Sequence, residues 1–220
     1  MSGRQLADKW LKTEALLTDP KVVPYIPKTR MLSSENLNEM LSIYGMVVVK
    51  PVKGGGGHGV IRITKQGSYY SITARSRTYH YRDFNSMYQA LLRLKVKRAY
   101  LIQQGIRLAR ISGRPLDYRV KVVKEGDRWT YRSMVGRLAR RGLFVTNLCQ
   151  GGTMLTCSQA LRGSLPRISA RAKRSEMRQL TNTCIQVLER HFPGISQLGF
   201  DYGIDHGGKI WILEVNTRPN

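Results

Sequence analysis

Residues 198–216 read LGFDYGIDHGGKIWILEVN, two apolar runs with period-two alternation around the turn Asp205-His206-Gly207-Gly208. This pattern predicts an antiparallel hairpin, Leu198 to Ile204 and Lys209 to Val215. With a tight turn and an even number of loop residues, Ile204 faces Lys209 and Asp201 faces Ile212. Cross-strand partners and i, i+2 neighbours share a side, so that register sets Asp201, Glu214 and Asn216 on one face. The other register aims Asp201 among Trp211, Leu213 and Val215, where an unpartnered carboxylate is costly to bury. Two carboxylates and an amide oxygen on one face are hard ligands that suit Mg²⁺ otherwise coordinated by water and phosphate. An ion pair between Glu214 and one of the abundant arginines is the competing reading, and Asp205 reads as a turn residue rather than a ligand.

Upstream, a long basic helix is predicted from Ser169 to about Phe192, with Met177, Leu180, Cys184, Val187 and Leu188 as its apolar stripe. Strands at Asp117–Val123 and Trp129–Val135 flank the turn Glu125-Gly126-Asp127. Nearer the N-terminus, Ser33 or Ser34 caps a helix through Tyr44 that stops at Gly45. Met46 to Lys50 is a buried strand, Val60–Thr64 and Tyr69–Thr73 alternate at period two, Phe84–Leu94 is helical, and Tyr100–Gln104 is a further buried strand. The class is α+β with antiparallel strands dominating.

Between the first two strands lies Gly54-Gly55-Gly56-Gly57-His58-Gly59, a loop whose backbone N–H groups can approach an anion closely. A period-two strand follows it, whereas the P-loop and the dinucleotide fingerprint both need a helix there, so those folds are excluded. A mobile hairpin tip explains the glycines equally well until Lys50 is considered. A lysine ending a buried valine strand is poorly explained by packing, and it points the loop towards phosphate.

The 220 residues carry 37 Lys plus Arg against 14 Asp plus Glu, a formal net charge of +23. With 41% hydrophobic residues the chain is globular, which excludes a wholly disordered basic protein. The basic excess is spread along the chain and predicts polyanionic partners, nucleic acid among them, yet no recognition-helix or RNP-type motif accompanies it. No apolar stretch is long enough to span a bilayer, and the N-terminal residues lack a signal-peptide pattern. Cys149, Cys157 and Cys184 lack zinc-type spacing and read as buried thiols in a reducing, cytoplasmic setting. The histidines, His58, His80, His191 and His206, form no triad-like constellation with Ser or Cys.

Taken as an ordered set, several of these stretches resemble the ATP-grasp superfamily: Lys50-Pro51 before the glycine loop, Gln103-Gln104, Asp117-Tyr118-Arg119, Asn147 with Gly151-Gly152, and the Asp201 and Glu214-Val215-Asn216 hairpin. Within it the chain is most similar to the YheC/YheD group associated with bacterial endospores, from about Asp8 to Asn220. The resemblance implies two α+β lobes with a nucleotide site between them. Residues 1–30 are then a lead-in segment, 31–104 a small lobe carrying the flap, and 105–220 a large lobe carrying the Mg-binding hairpin. Because the resemblance begins near Asp8, the expectation is that the substrate-binding domain preceding this region in many members is missing.

Position by position, the resemblance implies that Lys9 and Lys50 reach the nucleotide phosphates and that Gly54, Gly55, Gly56 and Gly57 form the flap over them. Gln103, Gln104 and Ile106 fall at the adenine hinge, and Asp117 near the ribose. Arg119, Arg137 and Asn147 fall beside the reacting phosphoryl group, and Asp201, Glu214 and Asn216 match the Mg²⁺ ligands. The implied activity is ATP-dependent carboxylate–amine ligation through an acyl-phosphate, with an acidic polymer as one acceptor class that the charge suits. The alternatives are a non-catalytic module with a spore-coat-associated structural role and, less favoured, a basic nucleic-acid-binding protein.

Overall fold

The period-two segments pair into two antiparallel sheets in the computed structural model, which describes residues 4–219. The first contains β1 (Thr29–Met31), β2 (Met46–Pro51), β3 (Ile61–Gln66), β4 (Tyr69–Ala74), β5 (Arg77–Tyr81) and β6 (Tyr100–Gln104), in the order β1-β6-β2-β3-β4-β5. The second contains β8 (Arg114–Glu125), β9 (Arg128–Leu138), β10 (Thr153–Thr156), β11 (Gln197–Ile204) and β12 (Ile210–Asn216), in the order β10-β9-β8-β11-β12. The short β7 (Arg110–Ile111) pairs with the start of β8. The α+β class read from the sequence is the class observed.

Five helices cover the outer faces: α1 (Lys9–Leu17), α2 (Ser34–Tyr44), α3 (Phe84–Leu94), α4 (Cys157–Ser164) and α5 (Ala170–His191). Ser33 caps α2 by accepting from the Asn36 amide, and Gly45 ends it in the left-handed region at φ 67°. Each sheet has its own core. Leu37, Met40, Val47, Ile63 and Leu91 belong to the first, and Val120, Phe200, Tyr202, Met177 and Leu188 to the second. Ala15, Leu16, Val22 and Ile26 join the second core, so α1 and the turn after it pack beneath the second sheet before the chain crosses to edge strand β1. Among the described residues no helix is long and apolar enough to cross a membrane.

Cys157 and Cys184 are buried, and burial pushes the Cys157 thiol up to about 11 and the Cys184 thiol higher still. The expectation of buried thiols fails at Cys149, which is exposed on the loop between β9 and β10.

Candidate functional site

The hairpin β11–β12 departs from its expected register twice. Ile204 pairs with Ile210 instead of Lys209, because the loop holds five residues, Asp205 to Lys209. Asp205 wraps that loop: Oδ1 accepts from the Gly207 and Lys209 amides at 2.9 and 3.0 Å, and Oδ2 accepts from Trp211 Nε1 at 2.9 Å. An odd loop alone would put Asp201 opposite Leu213. A bulge between Asp201 and Tyr202 absorbs one residue of β12, and Asp201 pairs with Glu214. The two irregularities offset each other, so Leu198, Phe200, Tyr202 and Ile204 stay in the core while Asp201, Glu214 and Asn216 line the cleft.

A row of charge crosses the second sheet on that face. Arg137 of β9 pairs across the ladder with Asp117 of β8, and Arg119 of β8 with Asp201 of β11. Arg137 Nε and Nη2 donate to the two oxygens of Asp117 at 2.8 and 2.5 Å, and Nη2 also reaches Asp201 Oδ1 at 3.1 Å. Arg119 Nε bonds Asp201 Oδ1, and its Nη2 donates to Oδ2 at 3.1 Å. Burial pushes the Asp117 carboxyl upward while the bidentate Arg137 opposes it. Burial alone would weaken the Arg137 charge, but the Asp201 and Asp117 carboxylates outweigh it and hold the guanidinium well above its ordinary value. Bidentate pairs of this kind fix both side chains in plane.

Three lysines approach from the other side. Lys50 is buried; its Nζ donates to Gln103 Oε1 at 3.0 Å and to the Leu213 carbonyl at 2.8 Å, bridging the two sheets. Burial holds its ammonium below the usual lysine range, with Glu214 and Asp201 opposing and Lys9 assisting that shift. Lys9, at the start of α1, donates to the Gly54 carbonyl at 2.5 Å and stands 3.6 Å from Glu214 Oε1. Lys12 is a residue the sequence reading missed. It is 3% exposed, donates to the Leu6 carbonyl at 2.6 Å, and is lowered to about 8 by burial. Its signal was its spacing: Lys12 follows Lys9 at i+3 on the face of α1 that carries Leu16 into the core.

At the hinge both glutamine side chains are occupied. Gln103 Nε2 donates to Thr29 Oγ1 at 3.1 Å while its oxygen holds Lys50, and Gln104 Oε1 accepts from the Lys28 amide at 3.4 Å. The glycine loop reaches across to the loop after β9: the Gly56 carbonyl accepts from Gln150 Nε2 at 3.2 Å. Gly57 has φ 73°, and a Cβ there would lie 2.5 Å from Asn147 Oδ1. The left-handed backbone favours glycine there, and any larger residue would also have to displace the Asn147 amide.

A cavity of about 900 Å³ lies between the sheets, and every residue to which the resemblance gives a binding or catalytic role lines it, whereas Tyr118, Gly151, Gly152 and Val215 of the same motifs do not. Among the described residues no cluster of three or more His, Cys, Asp or Glu is placed to hold a metal ion alone. The oxygens present still suit a cation that shares its shell with phosphate. Asp201 Oδ1 takes two N–H groups and Oδ2 one, which leaves one lone-pair site of about four. Among the described residues Glu214 has an ion pair only with Lys9, and Asn216 adds an amide oxygen on the same strand.

Comparison with known proteins agrees with this architecture. The N5-carboxyaminoimidazole synthase of Aspergillus clavatus, solved with ADP and 5-aminoimidazole ribonucleotide, superposes with a TM-score of 0.60 at 14% identity, over 99% of this chain and 46% of that one. The Staphylococcus aureus N5-carboxyaminoimidazole synthetase, solved with ADP, gives 0.59 at 13% identity over 98% and 46%. These likenesses establish the ATP-grasp fold. The endospore coat-associated proteins YheD and YheC of Bacillus subtilis (strain 168) are 29% and 28% identical, covering 96% and 99% of this chain but 48% and 61% of their own lengths. The chain thus spans about half to three fifths of the curated relatives it matches. The family model described as YheC/D like ATP-grasp matches residues 1–220, and the chain belongs to that family.

Proposed function

We propose that this chain binds Mg²⁺-ATP between its two sheets and activates a carboxylate for attack by an amine. The observation that carries the reading is the convergence of Lys9, Lys50 and the Gly54–Gly57 loop on one cavity above the Arg137–Asp117 and Arg119–Asp201 pairs. Lys50 has three N–H donors and uses two, leaving one for a phosphate oxygen. Lys9 supplies a second cation and ties the loop to α1, while the loop amides cover the triphosphate. Adenine lies against Met46, Val48 and Ile106 and meets hinge backbone.

Glu214, Asn216 and the remaining lone pair of Asp201 would hold the Mg²⁺, which neutralises phosphate charge when bound. Arg119 and Arg137, locked by their carboxylates, present fixed positive charge to the phosphoryl group in transfer. The substrate carboxylate oxygen forms a bond to the γ-phosphorus as the bond to the β-γ bridging oxygen breaks and ADP leaves. The amine then attacks the acyl carbon, phosphate departs, and the amine gives up a proton.

A second reading, nucleotide binding without turnover, draws on the clamping of Asp201 by two arginines. Calorimetric titration with a non-hydrolysable ATP analogue, followed by trapping of acyl-phosphate with hydroxylamine across a panel of acids, separates the two. Saturable Mg²⁺-dependent binding with hydroxamate formation is expected. Binding without hydroxamate favours the second reading, and no binding overturns both.

A further inference from the structure

We propose that the outer edge of β10 is the docking site for an extended acidic peptide, which adds to the second sheet as a further strand and presents alternate side chains to the cleft. The docking stands by itself; that a side-chain carboxylate so presented is the group activated rests on the nucleotide reading above.

Among the strands that end the two sheets, β10 is the one that is open, uncharged and beside the cavity. β12 is packed by α1. β1 carries Arg30, paired with Glu39, and its Met31 carbonyl accepts from Asn36 Nδ2 at 3.1 Å. β5 carries Arg77, and none of its residues lines the cavity. An exposed strand edge is a template for another chain, and proteins blunt such edges with charge, proline or a bulge. β10 reads Thr-Met-Leu-Thr and has none of these. Thr153, Met154 and Thr156 are exposed, Met154 at 60%. The Thr156 amide is taken by Gln159 Oε1 at 3.0 Å in the capping box of α4, so it points away from β9. N–H and C=O groups alternate sides along a strand, and those of Met154 therefore face outward as well. Met154 pairs with Arg137 across the ladder and lines the cavity, so its side chain shares the cleft face. On a strand added beside β10, every second side chain then points over Met154 into the cleft.

The open edge fixes where the partner lies, and the arginines that bracket it fix its sign. Arg114 Nη2 donates to Thr153 Oγ1 at 3.2 Å at one end of β10, and Arg174 Nη1 donates to Ser158 Oγ at 3.3 Å just past the other. Among the described residues neither arginine has a carboxylate within ion-pair distance, and Arg174 Nε is buried without a hydrogen-bond partner. From Arg128 to Ser175, the stretch that builds β9, β10 and α4, the sequence has ten Lys plus Arg and no Asp or Glu. An incoming strand thus meets positive charge at both ends and no competing acid from these elements. Backbone pairing supplies affinity that is blind to sequence. The guanidinium groups select acidic side chains on the face away from the cleft, where Thr153 stands opposite to Met154.

The test uses the full chain and a short fluorescein-labelled peptide of alternating Glu and Thr, titrated by anisotropy at physiological ionic strength. Saturable binding is expected. Two further copies of the peptide, methylated either on the Glu or on the Thr backbone nitrogens, keep the charge and probe strand pairing. One copy should bind about 10-fold or more weakly because its inward N–H donors are blocked, while the other, methylated on the solvent side, keeps most of the affinity. Met154→Pro removes an outward N–H and no ladder bond, so melting temperature should hold while peptide affinity falls about 10-fold. Arg114→Gln and Arg174→Gln should each weaken the peptide about 3-fold or more, with the lysine variants recovering part of the loss. The inference is overturned if the peptide does not bind, if both methylated copies bind as the parent does, if folded Met154→Pro binds as the wild type does, or if a Lys-Thr peptide binds equally well. A single-stranded oligonucleotide that displaces the peptide and is itself insensitive to Met154→Pro would also overturn it, in favour of a basic nucleic-acid surface. Should Met154→Pro fail to fold, the methylated peptides still decide. ATP-analogue affinity in Met154→Pro should change by less than about 2-fold. Failure of the analogue to bind the wild type defeats the nucleotide reading and leaves the docking test intact.

Discussion

Lys50→Met is the sharpest probe of the cleft, because the structure leads to a large expected loss of affinity with little change in stability. The Lys50 ammonium is buried, donates to two neutral oxygens and retains one N–H for a ligand. One charge-assisted bond to phosphate contributes about 1.5–3 kcal/mol, so the variant should bind the ATP analogue roughly 10- to 150-fold more weakly. Stability without ligand is a separate balance. Methionine fills similar space and removes a desolvated charge, but it leaves Gln103 Oε1 and the Leu213 carbonyl without that donor. These effects oppose each other, and the net change in unfolding free energy should stay within about 1 kcal/mol. Burial holds the Lys50 pKa down in the free protein, and an approaching phosphate raises it, so nucleotide binding at alkaline pH takes up protons. Titration in buffers of different ionisation enthalpy reads that uptake, which should shrink in the variant. A folded Lys50→Met protein with less than about 3-fold loss of affinity and unchanged proton uptake would refute the contact.

Glu214→Gln should weaken analogue binding in Mg²⁺ yet strengthen it in EDTA, since the carboxylate both draws the cation and repels phosphate beside Lys9; the same change in both titrations contradicts a metal role. Gly57→Ala places a Cβ against Asn147 in a left-handed backbone, costing about 1–2 kcal/mol. The loop should open, with faster proteolysis there and weaker analogue binding but little change in melting temperature. Lys12 is lowered to about 8 in the folded chain from 10.5, so the native state binds fewer protons than the unfolded state and stability rises with pH through that window. Between about pH 7 and pH 9.5 denaturant unfolding should show about 2 kcal/mol of stabilisation that Lys12→Met lacks; equal slopes would refute the buried-ammonium reading.

Much of the site was legible because its signals are local. The alternation around residues 198–216, the αL stop at Gly45 and the glycines after Lys50 each reflect backbone and burial rules acting within a few residues. Face assignment for Asp201 survived an incorrect register, since burying its carboxylate unpartnered disfavours any pairing that turns it inward. The short elements α1, α4, β1 and β10 had no sequence expectation, because runs this brief carry too little periodicity to stand out.

The sequence by itself determined the α+β class, the order of the longer elements and many of the residues that converge on the cleft. Only the tertiary structure decided who holds whom. It placed a five-residue loop and a bulge so that Asp201 meets Glu214, gave Asp201 to Arg119 and Arg137, and buried Lys12 beneath β12. The physical reason is separation along the chain. Arg119 and Asp201 are 82 residues apart and Lys50 and Leu213 are 163 apart. With 24 arginines available, composition cannot choose the partner of any one carboxylate; strand order and the bulge do.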